Sequence, residues 1–127
     1  MDKLLQAALD ARGNAHAPFS HFAVGAAVED DAGRVFTGCN VENATYGLTI
    51  CAERVAVFKA ISEGARRFRR VAVAADTETL TPPCGACRQI LWEFLGDVDV
   101  ILVNTSGKTE TLRLKDLFPR PFDARFL

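Results

Sequence analysis

Two cysteines three residues apart, Cys84 and Cys87 in "TPPCGACRQ" (81–89), form either a redox couple or half of a metal site. A third, Cys51, lies in "TICAER" (49–54), with Glu53 two residues on and Arg54 beside it. Three thiolates and a water satisfy tetrahedral Zn²⁺ and keep one position open for chemistry, whereas a structural zinc closes with a fourth protein ligand. Cys39, His16 and His21 are the candidates for that fourth place, and none stands at a ligand-like spacing. Cys39 falls in a predicted strand, where an inert buried thiol is the plain reading.

Glu53 and Arg54 have roles beside such a metal. A glutamate in the first turn of a helix complements the helix dipole, but next to zinc it can also take a proton from bound water and pass it to a substrate. Three thiolates on Zn²⁺ leave a net charge of about -1, which opposes ionisation of the water; a guanidinium donating to the sulfurs withdraws that charge. A Cys-x-x-Cys redox protein would leave Cys51 and Glu53 without a part. A structural zinc module would need a fourth ligand and would tolerate loss of Glu53.

The elements that must position these residues can be read from hydrophobic spacing. Residues 2–13 have near-helical apolar spacing and end at Gly13. "FAVGAAVEDDAGRVFTGCNVEN" (22–43) predicts two strands joined through a tight turn. Residues 51–64 predict a helix that is apolar almost all round and stops at Gly64, with little of it in water. "RRVAVAAD" (69–76) and "VDVILVN" (98–104) are apolar runs suited to strands covered on both faces. Between them, 84–95 predicts a helix with Cys87, Leu91, Phe94 and Leu95 on one side, which implies a parallel strand pair with a right-handed crossover. "TETLRL" predicts a fifth strand, and "KDLFPRPFDARFL" a short helix and apolar tail. The expected class is α/β, a three-layer α/β/α sandwich with a mixed sheet of about five strands, in one domain spanning 1–127.

Both long internal helices thus begin at a cysteine. A helix N-terminus offers unpaired N–H groups and a positive dipole end, which favour thiolate and hence metal binding. Composition narrows the rest. The 127 residues carry a net charge of -1, which gives no general attraction to nucleic acid; the basic run "ARRFRR" (65–70) reads as a solvated loop. "MDKLLQAALDARG" shows neither a secretory signal nor a membrane anchor, so the expected compartment is the cytosol with reduced cysteines.

Cys-Ala-Glu followed some thirty residues later by Pro-Cys-x-x-Cys is the signature of zinc-dependent base and nucleoside deaminases. "FAVGAAV", "TGCNVENATYGLTICAER" and "PCGACRQ", in that order, resemble the small, three-cysteine, homotetrameric cytidine deaminases along nearly the whole chain. The resemblance implies one zinc per chain on Cys51, Cys84 and Cys87, with Glu53 as proton shuttle and Arg54 tuning the ligand charge. It implies a site for cytidine and deoxycytidine in pyrimidine salvage, the products being uridine or deoxyuridine and ammonia. Asn40 and Glu42 match residues that bind the ribose 3'-hydroxyl, Phe22 an aromatic against the pyrimidine, and Ala52 a further substrate contact. Tyr46 and Phe122 match aromatics given to a neighbouring subunit's site. Blasticidin-type deaminases share the zinc pattern, but Asn40 and Glu42 suit a nucleoside; free cytosine would leave them unpaired.

Overall fold

The computed structural model describes residues 1–127. Helix α1 (Lys3–Arg12) is followed by strands β1 (Val24–Asp30) and β2 (Val35–Cys39), then α2 (Ala52–Ser62), β3 (Phe68–Ala75), α3 (Gly85–Leu95), β4 (Asp99–Asn104), β5 (Thr109–Arg113) and the short α4 (Leu114–Leu117). The sheet order is β2-β1-β3-β4-β5. Only β3 and β4 run parallel, Val71 opposite Val100, as expected of strands joined by a crossover helix. The other three pairings are antiparallel, so the sheet is mixed.

Alternation along the strands divides the core in two. Val24, Ala26 and Val28 of β1, Val71 and Val73 of β3, and Val100 and Leu102 of β4 point to the α2/α3 face, where they meet Ala56, Val57, Ala60 and Leu91. Ala27, Ala72, Ala74, Ile101 and Val103 point the other way, onto Leu4, Leu5 and Ala8 of α1. The three layers are therefore α1, sheet, and α2 with α3.

Two glycines permit close approach. A Cβ on Gly25 would lie 2.0 Å from the carbonyl oxygen of Ala8 and 2.5 Å from the amide of Arg12. On the opposite face, a Cβ on Gly38 would lie 2.5 Å from the amide of Ala56 and 2.6 Å from the carbonyl oxygen of Ala52. Each glycine lets a helix backbone rest on the hairpin, and Gly38 thereby sets the depth of the first turns of α2.

Two expectations change in detail. Helix α2 is not enclosed on all sides: Ala52, Glu53, Ala56, Val57 and Ala60 are buried, while Phe58 is 43% exposed because only one side faces the sheet. Phe94 likewise lies outside the core. It packs edge-on against Phe58 with centroids 6.2 Å apart, since its position on α3 points past the sheet.

The basic run has structural partners. Arg70 pairs with both Asp2 and Glu29, tying the start of α1 to β1 and β3. Arg66 donates to the carbonyls of Ile61 and Ala65 at the end of α2, and Arg69 to that of Asp31 in the hairpin turn. These bonds account for three of its four arginines.

Candidate active site

Cys51 and Cys84 occupy the N-cap positions of α2 and α3, and Cys87 stands in the first turn of α3. Neither N-cap sulfur accepts a capping hydrogen bond. Pro82 and Pro83 favour an extended approach to Cys84, and Arg88 fixes it further, its Nε donating to the carbonyl of Pro83 at 2.8 Å. Ahead of Cys51, Ile50 and Val41 exchange backbone hydrogen bonds of 2.9 and 3.0 Å. The sulfurs of Cys51, Cys84 and Cys87 come within 4.8 Å of one another. At a Zn–S distance of about 2.3 Å a tetrahedral ion spans sulfurs about 3.8 Å apart, inside that limit.

The electrostatics fit a cation. The Cys51 thiol is drawn down to about 5 by its hydrogen bond with Cys87, with Arg54 also contributing, whereas the same bond and burial push Cys87 up. The opposite shifts show how strongly the two sulfurs act on each other, as closely spaced metal ligands do. Arg54 donates from Nη2 to the Cys51 sulfur at 3.2 Å, and its own pKa is raised chiefly by that bond. Its buried Nε has no partner. An orphaned cationic donor beside three sulfurs suits a site in which all three are ionised, as metal ligation requires. Cys39, His16 and His21 take no part in the cluster, and all four cysteines are free of disulfides.

Glu53, in the first turn of α2, is 5% exposed. Burial, the largest cause, and the charge of Cys51 push its carboxyl up to about 7. A group poised there can both accept and return a proton near neutral pH.

Glu53 lines a cavity of about 190 Å³ together with Cys51, Cys84, Ala52, Asn40 and Phe22. Its remaining walls are Val24, Thr49, Ile50, Val73, Thr81 and Pro82. Sequence reading did not single these out as site residues; their only sequence signal was adjacency to the cysteine motifs and to strand ends. Beyond Thr49, an open groove is lined by Phe19, Ser20, Glu42 and Tyr46. The inner cavity is of a size for one ring, and the groove leaves room for a polar substituent.

The Asn40 carboxamide is 8% exposed and works on the backbone: Oδ1 accepts from the amide of Val24 at 2.9 Å and Nδ2 donates to the carbonyl of Phe22 at 2.7 Å. Glu42 accepts from the amides of Phe19 (2.9 Å) and Ser20 (3.1 Å) and from the Ser20 hydroxyl. The hydroxyl is the main reason its carboxyl lies below the usual range.

Tyr46 and Phe122 do not line the inner cavity. Tyr46 is 77% exposed and meets Phe19 edge-on at 6.1 Å. Phe122 is 57% exposed, stacked on Phe126 at 5.7 Å in a separate depression of the tail. Helix α3 holds that tail: Arg88 donates to the carbonyl of Leu117, Gln89 to that of Phe122, and the Trp92 indole to the Asp123 carboxylate.

Residues 1–104 match the family model described as the cytidine and deoxycytidylate deaminase zinc-binding region. The chain is 48% identical over 122 residues to a cytidine deaminase of Halalkalibacterium halodurans, covering 95% of this chain and 92% of that one. It is 46% identical over 123 residues to a cytidine deaminase of Sporosarcina psychrophila, covering 96% and 90%. Its fold matches the crystal structure of cytidine deaminase from Burkholderia pseudomallei with a TM-score of 0.91 at 45% identity, over 96% of this chain and 100% of that one.

Proposed function

This chain belongs to the cytidine and deoxycytidylate deaminase family, and we propose that its single domain, 1–127, turns over both cytidine and deoxycytidine with Glu53 as the proton carrier. The reaction is the zinc-dependent hydrolytic deamination of cytidine, which yields uridine and ammonia. The observation that carries the site assignment is a cluster of three sulfurs, two of which, Cys51 and Cys84, line a ring-sized cavity together with one buried carboxyl. A dithiol redox couple would leave the third sulfur, Cys51, without a part, and the cluster has no fourth protein ligand of a closed structural zinc.

Cys51, Cys84 and Cys87 would hold the zinc, which when bound supplies Lewis-acid activation of the attacking water. Glu53 Oε takes a proton from that water and places it on N3 of the pyrimidine, which makes C4 electrophilic. Oxygen adds at C4. Glu53 then accepts the remaining hydroxyl proton and delivers it to the amino nitrogen. The C4–N bond breaks, ammonia leaves, and the N3 proton stays as the N3–H of the product. One water is consumed and Glu53 ends as it began.

Phe22 and Ala52 form walls for the ring. Asn40 and Glu42 serve the 3'-hydroxyl: Asn40 has one N–H and one lone pair to spare, and Glu42 retains an acceptor position after its three loop donors. A 3'-hydroxyl contact is common to ribose and deoxyribose, which supports turnover of both nucleosides. Ammonia release measured with cytidine, deoxycytidine, cytosine, adenosine and blasticidin S tests the reading. Turnover is expected for the first two; activity confined to any of the others would contradict it.

The exposed Tyr46, Leu48, Phe58, Phe122 and Phe126 support a homotetramer whose aromatic segments complete neighbouring sites. Phe122→Ala and Glu53→Gln, each weak alone, should regain activity above their average when mixed tetramers form. Activity that stays at the average would assign Phe122 to its own chain. No helix is long and apolar enough to cross a membrane, and four disulfide-free cysteines suit the cytosol. Fractionation recovering the protein outside the cytosolic fraction would contradict that placement.

A further inference from the structure

The loop before β1 carries His21 at φ 58°, the one non-glycine residue with positive φ. L residues keep that conformation when their surroundings hold it. The amide of His21 donates to the carbonyl of Ala17 at 3.0 Å, and the amides of Phe19 and Ser20 are held by Glu42. At the centre stands the Ser20 hydroxyl. It donates to Glu42 Oε2 and accepts from the amide of Phe22 at 3.0 Å. One side chain thus touches both the carboxylate on the outer groove and the backbone of the aromatic wall of the inner cavity. Asn40 grips the other side of the same segment through the carbonyl of Phe22.

We propose that Ser20 is a positioning residue for nucleoside binding, its hydroxyl aiming the Glu42 carboxylate at the sugar while holding Phe22 against the base. The inference rests on the reading that Glu42 meets the 3'-hydroxyl. A serine hydroxyl has one proton and can accept besides, so both contacts can be made at once. Without it, Glu42 keeps two backbone donors but Oε2 loses its fixed orientation, and the Phe22 amide loses its acceptor. The cysteines and Glu53 stand on other elements, so the loss falls on binding rather than on proton transfer.

Steady-state kinetics of Ser20→Ala, Glu42→Ala and the double variant, on cytidine and 3'-deoxycytidine, test this, with zinc content and thermal melting as controls. Ser20→Ala should raise KM for cytidine about tenfold, the scale of a hydrogen bond to a charged group, with kcat within about threefold of the parent. The penalty should shrink both on 3'-deoxycytidine and in the Glu42→Ala background, leaving only the smaller part due to the hold on Phe22, and Ser20→Thr should restore the parent KM. Should the alanine variant misfold, Ser20→Cys, close in shape and a far weaker donor, is expected to show the same rise. If Glu42→Ala leaves KM for cytidine unchanged, the reading of Glu42 fails. If Glu42→Ala raises KM but Ser20→Ala does not, or costs the same on both substrates and in both backgrounds, Ser20 has no such role.

Discussion

The N-terminus of α1 and those of α2 and α3 lie on opposite faces of one sheet and are finished differently. Helix α1 starts in the ordinary way: the Asp2 carboxylate accepts from the amide of Leu4 at 2.8 Å and pairs with Arg70. Such a cap is worth about 1 kcal/mol. Helices α2 and α3 begin at Cys51 and Cys84, which make no side-chain cap bond. They leave polar helix ends beside a cavity, with Glu53 buried there at an energetic cost. The helix end built for stability has no chemistry, and the two ends built for chemistry forgo a cap.

Exchanging the two kinds of ending should break this comparison most severely. Cys84→Ser introduces a good capping oxygen in place of a metal ligand. The variant should lose zinc and with it measurable deamination, while its metal-free form gains about 0.5–2 kcal/mol in denaturant unfolding relative to the metal-free parent. Zinc analysis and a chelator-treated melt check both halves. Next in size is Glu53→Gln, which should keep zinc and fold but lose at least about 10²–10⁴-fold in turnover, because in the proposed reaction one carboxyl serves several proton transfers. Near-normal turnover would remove Glu53 from the reaction.

A paired substitution sharpens the contrast between faces. Gly25→Ala and Gly38→Ala each push a methyl into helix backbone, and each should destabilise by about 1–3 kcal/mol or more. Only Gly38→Ala should also lower turnover per folded, zinc-loaded chain, because it displaces the turn of α2 that carries Glu53. Equal turnover in both variants would mean that the depth of α2 does not matter.

The smallest effect concerns pH. The hydrogen bond from Arg70, with that from the Leu4 amide, holds the Asp2 carboxyl below its usual value near 3.8. A depressed folded pKa contributes stability that is present above the unfolded value and lost as pH falls through the folded one. Asp2→Asn keeps a capping oxygen but removes this ionisation. Urea melts should show a loss of less than about 1 kcal/mol at neutral pH that fades as pH falls through the lowered pKa of Asp2, since the pair is largely solvated.

The parts legible in sequence were those fixed by local pattern. Unbroken apolar runs marked β3 and β4, and cysteines at two helix starts marked the metal cluster, because strand burial and cap position depend on near neighbours along the chain. The bonds of Ser20 to Glu42, 22 residues away, and of Asn40 to Phe22 and Val24 follow from how the hairpin folds back, which no spacing rule encodes. The exposed side of α2 escaped for a related reason: periodicity shows that a residue is apolar but not which neighbour covers it, and Phe58 meets the Phe94 ring edge-on while staying partly in solvent. The "ARRFRR" arginines look like free charge until Asp2, Glu29 and the end of α2 are brought up to them.

X-ray absorption at the zinc edge of the purified, active protein tests the central claim most directly, because it counts the ligands. Three sulfurs at about 2.3 Å with one light atom completing the shell is the predicted result. A shell closed by four protein ligands, or active protein without zinc, would contradict the account.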